Sequence, residues 1–203
     1  MKKILVSMIA IVLSMTLGAC GSNRTATNQS GSSETEHTHS NEYKQPEQEA
    51  GTPHKKLVDV TLDRTVDGDT IKVIYNGKKD TVRYLLVDTP ETKKPHSCVQ
   101  PYGEDASKRN KELVNSGKLQ LEFDKGDRRD KYGRLLAYVY ADGKSVQETL
   151  LKEGLARVAY VYEPNTKYID QFRLDEQEAK SEKLSIWSKN GYVTNRGFHG
   201  CVK

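Results

Sequence analysis

The sequence contains no apolar run long enough to cross a lipid bilayer as a helix. Its longest predominantly apolar stretch, residues 4–17, follows Lys2 and Lys3 and falls short of the roughly 20 residues that a spanning helix needs. A basic start followed by an apolar stretch of this length is typical of a signal peptide. We therefore expect residues 1–19 to be a signal peptide and the rest of the chain to act outside the cytoplasmic membrane.

Cysteine is also scarce, with three residues in a chain of 203. The first, Cys20, ends the sequence LGAC, which resembles the bacterial lipobox, in which the cysteine is lipidated and becomes the new N-terminus. On this interpretation the protein is a membrane-anchored lipoprotein that faces the cell wall or the exterior. The alternative is an ordinary secretory signal in which Cys20 is incidental.

The two other cysteines, Cys98 and Cys201, form an even remainder, which in an oxidising compartment favours a disulfide. Such a bond would pin the C-terminal tail, residues 189–203, to the loop after Glu91. Closing a loop of about 100 residues is worth up to roughly 4.7 kcal/mol in the chain-entropy model. Two free thiols remain the alternative, because the sequence does not reveal whether the sulfur atoms are close.

Apolar side chains are almost absent from residues 20–54. Such a segment cannot bury enough surface to offset the loss of chain entropy, so we predict a disordered tether. Residues 21–54 carry five acidic and two basic side chains, whereas residues 55–203 carry 28 basic and 23 acidic ones. A mildly basic domain on an acidic tether suits an anionic partner, although an ordinary soluble surface explains the same charges equally well.

A compact domain is predicted over residues 55–188, and it consists mainly of strands. Asp67-Gly68 and Asn76-Gly77 are hairpin signals, and they divide the first three strands into a meander. Alternating and apolar stretches at 119–123 and 135–141 predict the fourth and fifth strands. No internal repeat is visible.

Helices are expected at about 102–115, 146–153 and 167–186, with Gly117 and Gly154 as stop signals for the first two. Five strands, with a helix between the third and the fourth, match the oligonucleotide-binding (OB-fold) barrel. The predicted fold class is therefore α+β, mainly β: a five-stranded OB-fold barrel with three helices.

Three segments carry more polar groups than barrel strands need: DGDT at 67–70, VRYLLVDTPE at 82–91 and DKYGR at 130–134. Each has a structural explanation when taken alone, because Asp-Gly forms turns, Asp-Thr-Pro ends strands and a strand arginine can reach water. Together with YGEDAS, EFDKG, GLARVAYVY and LSIW they resemble the staphylococcal nuclease (thermonuclease) family. The resemblance runs from about Lys55 to Trp187.

This resemblance implies a calcium-dependent phosphodiesterase on an OB-fold barrel. Its partners would be DNA and RNA, single-stranded or unwound, cut with little sequence preference to leave 3′-phosphate ends, and the protein would be a monomer. Carried over by position, the family implies catalytic Arg83, Glu91 and Arg134; calcium ligands Asp69, Asp88 and the backbone carbonyl of Thr89; and substrate-binding Lys131, Tyr132, Tyr160 and Tyr162.

The chemistry of these residue types agrees with the resemblance. Guanidinium groups can donate paired hydrogen bonds to the oxygens of a five-coordinate phosphorus, and Glu91 can accept a proton from an attacking water. Calcium prefers oxygen ligands. A site to which the protein supplies only two carboxylates and one carbonyl is expected to bind calcium weakly, with a Kd in the roughly 10⁻⁴–10⁻³ M class. The alternative function is a non-catalytic OB-fold module that captures nucleic acid at the cell surface, which would not need Arg83, Glu91 and Arg134 together.

The third strand presents one geometric difficulty. Successive side chains of a strand point to opposite faces, so Arg83 and Asp88 would not meet if the strand were regular. We therefore predict an irregularity near Val87.

Overall fold

The computed structural model describes residues 56–92 and 98–202. The predicted signal peptide, residues 1–19, and the predicted tether, residues 20–54, lie outside the described residues. The described residues belong to one compact unit. No helix within them has the length and apolar character that a membrane span requires.

Short strands dominate this unit, and three helices pack around them. The strands are β1 (Leu57–Asp59), β2 (Thr61–Thr65), β3 (Thr70–Tyr75), β4 (Lys78–Tyr84), β5 (Val87–Asp88), β6 (Leu119–Glu122), β7 (Leu135–Ala141), β8 (Lys144–Ser145), β9 (Arg157–Val158), β10 (Val193–Thr194) and β11 (Gly197–Phe198). The helices are α1 (Gly103–Val114), α2 (Val146–Lys152) and α3 (Ile169–Ser181), followed by a 3-10 turn at Ser185–Ser188.

The main sheet runs in the order β1-β6-β7-β4-β3-β2, and β8 pairs with β7. The strands β1 and β2 occupy opposite ends of this order, yet only Val60 separates them in the chain. One continuous segment therefore forms both ends of the sheet, which curls the sheet into a barrel. The strands β4 and β7 pair in parallel, and the other pairs of this sheet are antiparallel. This arrangement agrees with the predicted OB-fold.

The barrel core contains the alternate apolar side chains of its strands. Ile71 and Val73 of β3 are fully buried, as are Leu121 of β6 and Val139 of β7. In β3 the half-exposed Lys72 separates Ile71 from Val73, as alternation in a half-buried strand requires, whereas the tyrosines on either side of Val139 are also buried. The first strand, predicted as one, is interrupted because β1 bonds to β6 and β2 bonds to β3.

Buried polar groups attach the helices to the barrel. Tyr84 of β4 donates a hydrogen bond to the Asn110 side chain of α1 at 2.7 Å, and Asn110 donates to the Asp67 carbonyl at 2.8 Å. Glu122 accepts from the hydroxyls of Tyr140 and Tyr168 at 2.9 and 2.8 Å. A satisfied buried polar group locks one arrangement, because an alternative packing would leave it unpaired.

The third helix is shorter than predicted. It ends at Ser181 rather than near residue 186, because Lys183 and Ser185 have left-handed φ angles of 54° and 40°. The chain turns there, and the backbone N–H of Ile186 donates a hydrogen bond to the Gly154 carbonyl at 3.0 Å.

The C-terminal tail folds as the β10–β11 hairpin beside the loop that follows Glu91. A disulfide joins Cys98 to Cys201 across 103 positions of sequence. Next to it, Val202 donates its backbone N–H to the Val99 carbonyl at 2.8 Å. The tail is therefore bonded to this loop covalently and through its backbone.

Replacing Cys98 with serine is expected to lower the melting temperature under non-reducing conditions. The cross-link restricts the unfolded chain, and a loop of this size contributes up to roughly 4.7 kcal/mol. Thermal unfolding with and without dithiothreitol measures the effect. In dithiothreitol the wild type should have the same melting temperature as the Cys98→Ser variant. Equal melting temperatures of the two proteins without reductant would contradict the prediction.

Candidate active site

A single cavity of about 730 Å³ brings together every residue to which the sequence analysis assigned a catalytic, calcium-binding or substrate-binding role. It lies where the start of β3 and the end of β4 meet the start of β7. The assigned residues in its lining are Asp69, Arg83, Asp88, Thr89, Glu91, Lys131, Tyr132, Arg134, Tyr160 and Tyr162.

Strand pairing places Asp69 beside Arg83. Thr70 of β3 pairs with Arg83 of β4, and the backbone N–H of Tyr84 donates to the Asp69 carbonyl at 3.0 Å. The Arg83 Nη2 atom then lies 3.2 Å from Asp69 Oδ2. Because both side chains are almost fully buried, this ion pair has little competition from water.

A turn after β4 brings Asp88 to the same guanidinium. Leu86 has a left-handed φ of 65°, a conformation that costs a non-glycine residue about 1–2 kcal/mol. Arg83 Nη1 bonds across this turn to the carbonyls of Tyr84 and Val87 at 3.0 and 2.8 Å. Asp88 Oδ1 consequently lies 3.5 Å from Arg83 Nη2. The predicted irregularity near Val87 is confirmed.

Thr89 is held against Asp69 from two directions. Its backbone N–H and its hydroxyl donate to Asp69 Oδ2 at 2.9 and 3.1 Å. Gly68 permits this approach, because a Cβ atom at that position would lie 2.5 Å from Thr89 Oγ1 and 2.9 Å from the Ala106 side chain. The hairpin signal Asp67-Gly68 thus also serves close packing.

Arg157 is a site residue that the sequence analysis missed. It faces Asp88 through the β5–β9 pairing, and its Nε and Nη2 atoms lie 3.0 and 2.8 Å from Asp88 Oδ2. The side chain is almost completely buried. The sequence feature that could have identified Arg157 is its position as the single cation in the otherwise apolar stretch GLARVAYV.

Negative charge is concentrated in this part of the cavity. Burial, followed by the charge of Asp69, raises the pKa of Asp88 above its usual range. The same two causes raise the pKa of Asp67 to about 7. Burial opposes the charged form of Arg83, but the carboxylates of Asp69 and Asp88 outweigh it and raise the pKa of the guanidinium.

Arg134 approaches the cavity from the other side. The parallel pairing of Arg83 with Leu136 sets the register of β7, and Arg134 precedes that strand. Asp130 fixes its position, because Asp130 Oδ2 accepts from Arg134 Nε at 2.7 Å and Oδ1 accepts from the Arg134 backbone N–H at 2.9 Å. Asp130 also was not assigned a role from the sequence, although it opens the DKYGR segment.

The rim of the cavity carries exposed aromatic rings. Tyr132, Tyr160 and Tyr162 are 72, 55 and 71 % exposed, so their faces are open to a ligand. Tyr160 and Tyr162 lie in irregular backbone, because β9 ends at Val158 and Tyr160 has a left-handed φ of 54°. The Arg83 guanidinium lies 5.3 Å from the centre of the Tyr160 ring.

The chemistry of the donor groups fits a hard cation. Asp69, Asp88 and Thr89 offer oxygen atoms alone, the ligand type that calcium prefers. Burial and then the charge of Asp69 raise the pKa of Asp88, and a divalent cation would offset both effects. Within the described residues, no group of three or more acidic, histidine or cysteine side chains could hold a metal. Water and substrate oxygens would have to supply the rest of the coordination shell.

Replacing Arg157 with methionine is expected to lower the free energy of unfolding by about 3–5 kcal/mol, because it leaves Asp88 buried beside Asp69 without its main partner. The matched control is Arg109→Met, which breaks the more exposed pair with Glu153 and should cost about 1 kcal/mol or less. Denaturant unfolding measures both losses. Equal losses would show that the Arg157 pair is energetically an ordinary surface pair.

Comparison with known proteins gives this cavity a context. The profile of the staphylococcal nuclease homologue family matches residues 81–189. The chain is 86 % identical to endonuclease YncB of Bacillus subtilis over the whole of both chains. It is 73 % identical to the SPbeta prophage-derived endonuclease YokF of the same organism, over all of this chain and 72 % of YokF. It is also 46 % identical to the thermonuclease of Staphylococcus hyicus, over 62 % of this chain and 73 % of that one. The chain therefore belongs to the staphylococcal nuclease family.

Proposed function

We propose that this protein is a calcium-dependent nuclease that hydrolyses DNA and RNA with little sequence preference and leaves 3′-phosphate ends. The observation that carries the proposal is the convergence of Arg83, Arg134 and Glu91 on one cavity with the carboxylates of Asp69 and Asp88. Arg83, which is paired with the acidic oxygens, and Arg134, which lines the same cavity, suit an anionic phosphodiester bound together with a divalent metal.

The arginines would bind the phosphate and stabilise the charge that develops on it. A guanidinium stays protonated and can donate two parallel hydrogen bonds to phosphoryl oxygens. Asp130 holds Arg134 through Nε and the backbone, and the Nη atoms of Arg134 make no hydrogen bond to other described residues, so they are available to a phosphate. Arg83 reaches the same cavity from a buried position on a barrel strand, which limits its movement.

Glu91 would accept a proton from the water that attacks phosphorus. A general base must lie within hydrogen-bond reach of that water, and Glu91 lines the same cavity as both arginines. Asp69, Asp88 and the Thr89 carbonyl would hold the calcium ion. When bound, calcium supplies positive charge for the phosphate oxygens and for the water.

The exposed tyrosines suggest how the nucleotide is held. An aromatic face stacks on any base, at about 1–3 kcal/mol per base, without reading its identity. Tyr132, Tyr160 and Tyr162 at the rim would therefore favour single-stranded or unwound substrate. Lys131, exposed beside Tyr132, would add a charge contact to a phosphate.

We further propose that the protein works outside the cytoplasmic membrane as a monomer, anchored through lipidated Cys20. The basic start, the short apolar stretch and LGAC support this location. Weak calcium binding is compatible with it, because extracellular calcium modules operate in the roughly 10⁻⁴–10⁻³ M class.

Replacing Glu91 with glutamine is expected to lower kcat by about 10²–10⁴-fold, because the amide cannot take the proton from water. Nucleotide binding should persist, since the arginines and tyrosines are unchanged. Cleavage of plasmid and of labelled DNA and RNA oligonucleotides at millimolar calcium, with end-group analysis of the products, measures this. Glu182→Gln, at an exposed carboxylate outside the cavity, is the control and should cleave like the wild type.

Three outcomes would contradict parts of this proposal. Intact DNA after incubation of the wild type with calcium, combined with measurable DNA binding, would indicate the non-catalytic binding module instead. Full activity in excess chelator would exclude the calcium requirement. An unaltered kcat in the Glu91→Gln variant would exclude the general base.

Replacing Arg134 with lysine is expected to reduce kcat steeply. Lysine keeps the charge but loses the planar fork, and by analogy with arginines in other phosphoryl transfers the loss is about 10³–10⁵-fold. The same cleavage assay measures it, with Arg128→Lys as a control at an exposed arginine outside the cavity. A loss below tenfold would argue against direct phosphate contact by Arg134.

A further inference from the structure

The C-terminal tail begins where the match to the family profile ends, at residue 189. It contacts residues that bond to Glu91 or adjoin those that do. Its hairpin, its disulfide and its last described residue all attach to residues 98–101, the stretch that immediately precedes α1.

Gln100 joins the tail to Glu91. The Glu91 backbone N–H donates to Gln100 Oε1 at 2.8 Å, and the Gln100 backbone N–H donates to the Glu91 carbonyl at 2.9 Å. The Gln100 side-chain amide also donates to the carbonyl of Phe198 in β11 at 3.0 Å. A single residue therefore satisfies both backbone polar groups of Glu91 and is itself oriented by the tail.

Glu91 needs such support because it belongs to no strand or helix. The strand β5 ends at Asp88, so no ladder of backbone hydrogen bonds continues through Glu91. A catalytic carboxylate must be held to about 0.5 Å of its productive position. The two hydrogen bonds between Gln100 and the backbone of Glu91 take the place of strand pairing here.

Gln100 is itself fixed on both sides. Before it, Val99 accepts a backbone hydrogen bond from Val202 and Cys98 is cross-linked to Cys201. After it, the Pro101 carbonyl accepts from the Tyr192 hydroxyl. The tail thus bonds to Cys98, Val99 and Pro101, which flank Gln100, and to the Gln100 side chain as well.

We propose that Gln100 is a positioning residue for Glu91, and that the disulfide-bonded tail, residues 189–202, holds Gln100 in place. This inference rests on the proposed function of Glu91. Both cysteines of the disulfide are exposed, so a dithiol can reach it. Reduction takes two electrons and two protons from the dithiol, which becomes a disulfide, and leaves Cys98 and Cys201 as thiols.

The first test replaces Gln100 with methionine, which has similar length but neither bonds the Glu91 N–H nor donates to Phe198. Loss of positioning is expected to lower kcat about 10- to 100-fold while KM stays close to that of the wild type, because the phosphate- and base-binding groups are untouched. Gln100→Glu keeps an acceptor for the Glu91 N–H and should recover part of the lost kcat. An unchanged kcat in Gln100→Met would overturn the proposal.

The second test breaks the disulfide. Cys201→Ser, and wild type treated with dithiothreitol, should show the same reduced kcat, and dithiothreitol should have no further effect on the variant. Thr194→Ala is the matched control, because it removes two hydrogen bonds within the hairpin without touching Gln100. These are the bond that Thr194 donates to the Gly197 carbonyl and the one that it accepts from the Arg196 N–H. All proteins are assayed well below their measured melting temperatures, so that unfolding does not contribute.

The outcomes separate this inference from the proposed function. A wild type that does not cleave with calcium refutes the proposed function. A wild type that cleaves, with Cys201→Ser or Gln100→Met equal to it in kcat, refutes only the positioning role. A fall in kcat of the same size in Thr194→Ala, which keeps the disulfide and the hydrogen bonds of Gln100, would show that the loss in Cys201→Ser does not come from the broken cross-link and would refute the role of the disulfide.

Discussion

The buried contact of Arg83 with Asp69 and Asp88 is the constraint on which the cavity depends. A cation and two carboxylates removed from water are stable only together, since each would be costly to bury alone. Asp69 comes from the end of one hairpin and Asp88 from beyond the next strand, so the contact also fixes how these segments meet. Arg157 supplies the second cation that balances Asp88.

Both regular and irregular backbone position the side chains of the cavity. Arg83 lies within β4, whose pairing with β3 and β7 sets its position. Asp88 follows β4 after a turn in which Leu86 is held in a left-handed conformation, and Asp69 comes directly before β3. A regular strand thus holds the Arg83 guanidinium, and the turns beside it place the carboxylates of Asp69 and Asp88 within contact of that group. Strain of this kind persists where surrounding contacts over-determine the backbone.

Much of this arrangement was predictable from the sequence, and the exceptions share a cause. The strand at residues 135–141 was predicted with its observed bounds, because its apolar pattern is local. The assigned cavity residues came from a family resemblance carried by four short segments: DGDT, VRYLLVDTPE, DKYGR and GLARVAYVY. Arg157 and Asp130 were missed because their roles depend on partners: Asp88 is 69 positions away from Arg157, and Asp130 looks like an ordinary loop residue until Arg134 folds onto it. The end of α3 was missed because positive φ angles at Lys183 and Ser185 have no glycine to announce them.

The disulfide has a consequence for when the proposed enzyme could act. Thiols stay reduced in a cytoplasm and oxidise after export. A newly made chain would therefore lack the disulfide between Cys98 and Cys201 while it is still in the cytoplasm with the cell's own DNA and RNA. If the chain is exported as proposed and the tail has its proposed positioning role, full activity would develop only outside the cell that made the protein, which would limit damage to the producer's own nucleic acids.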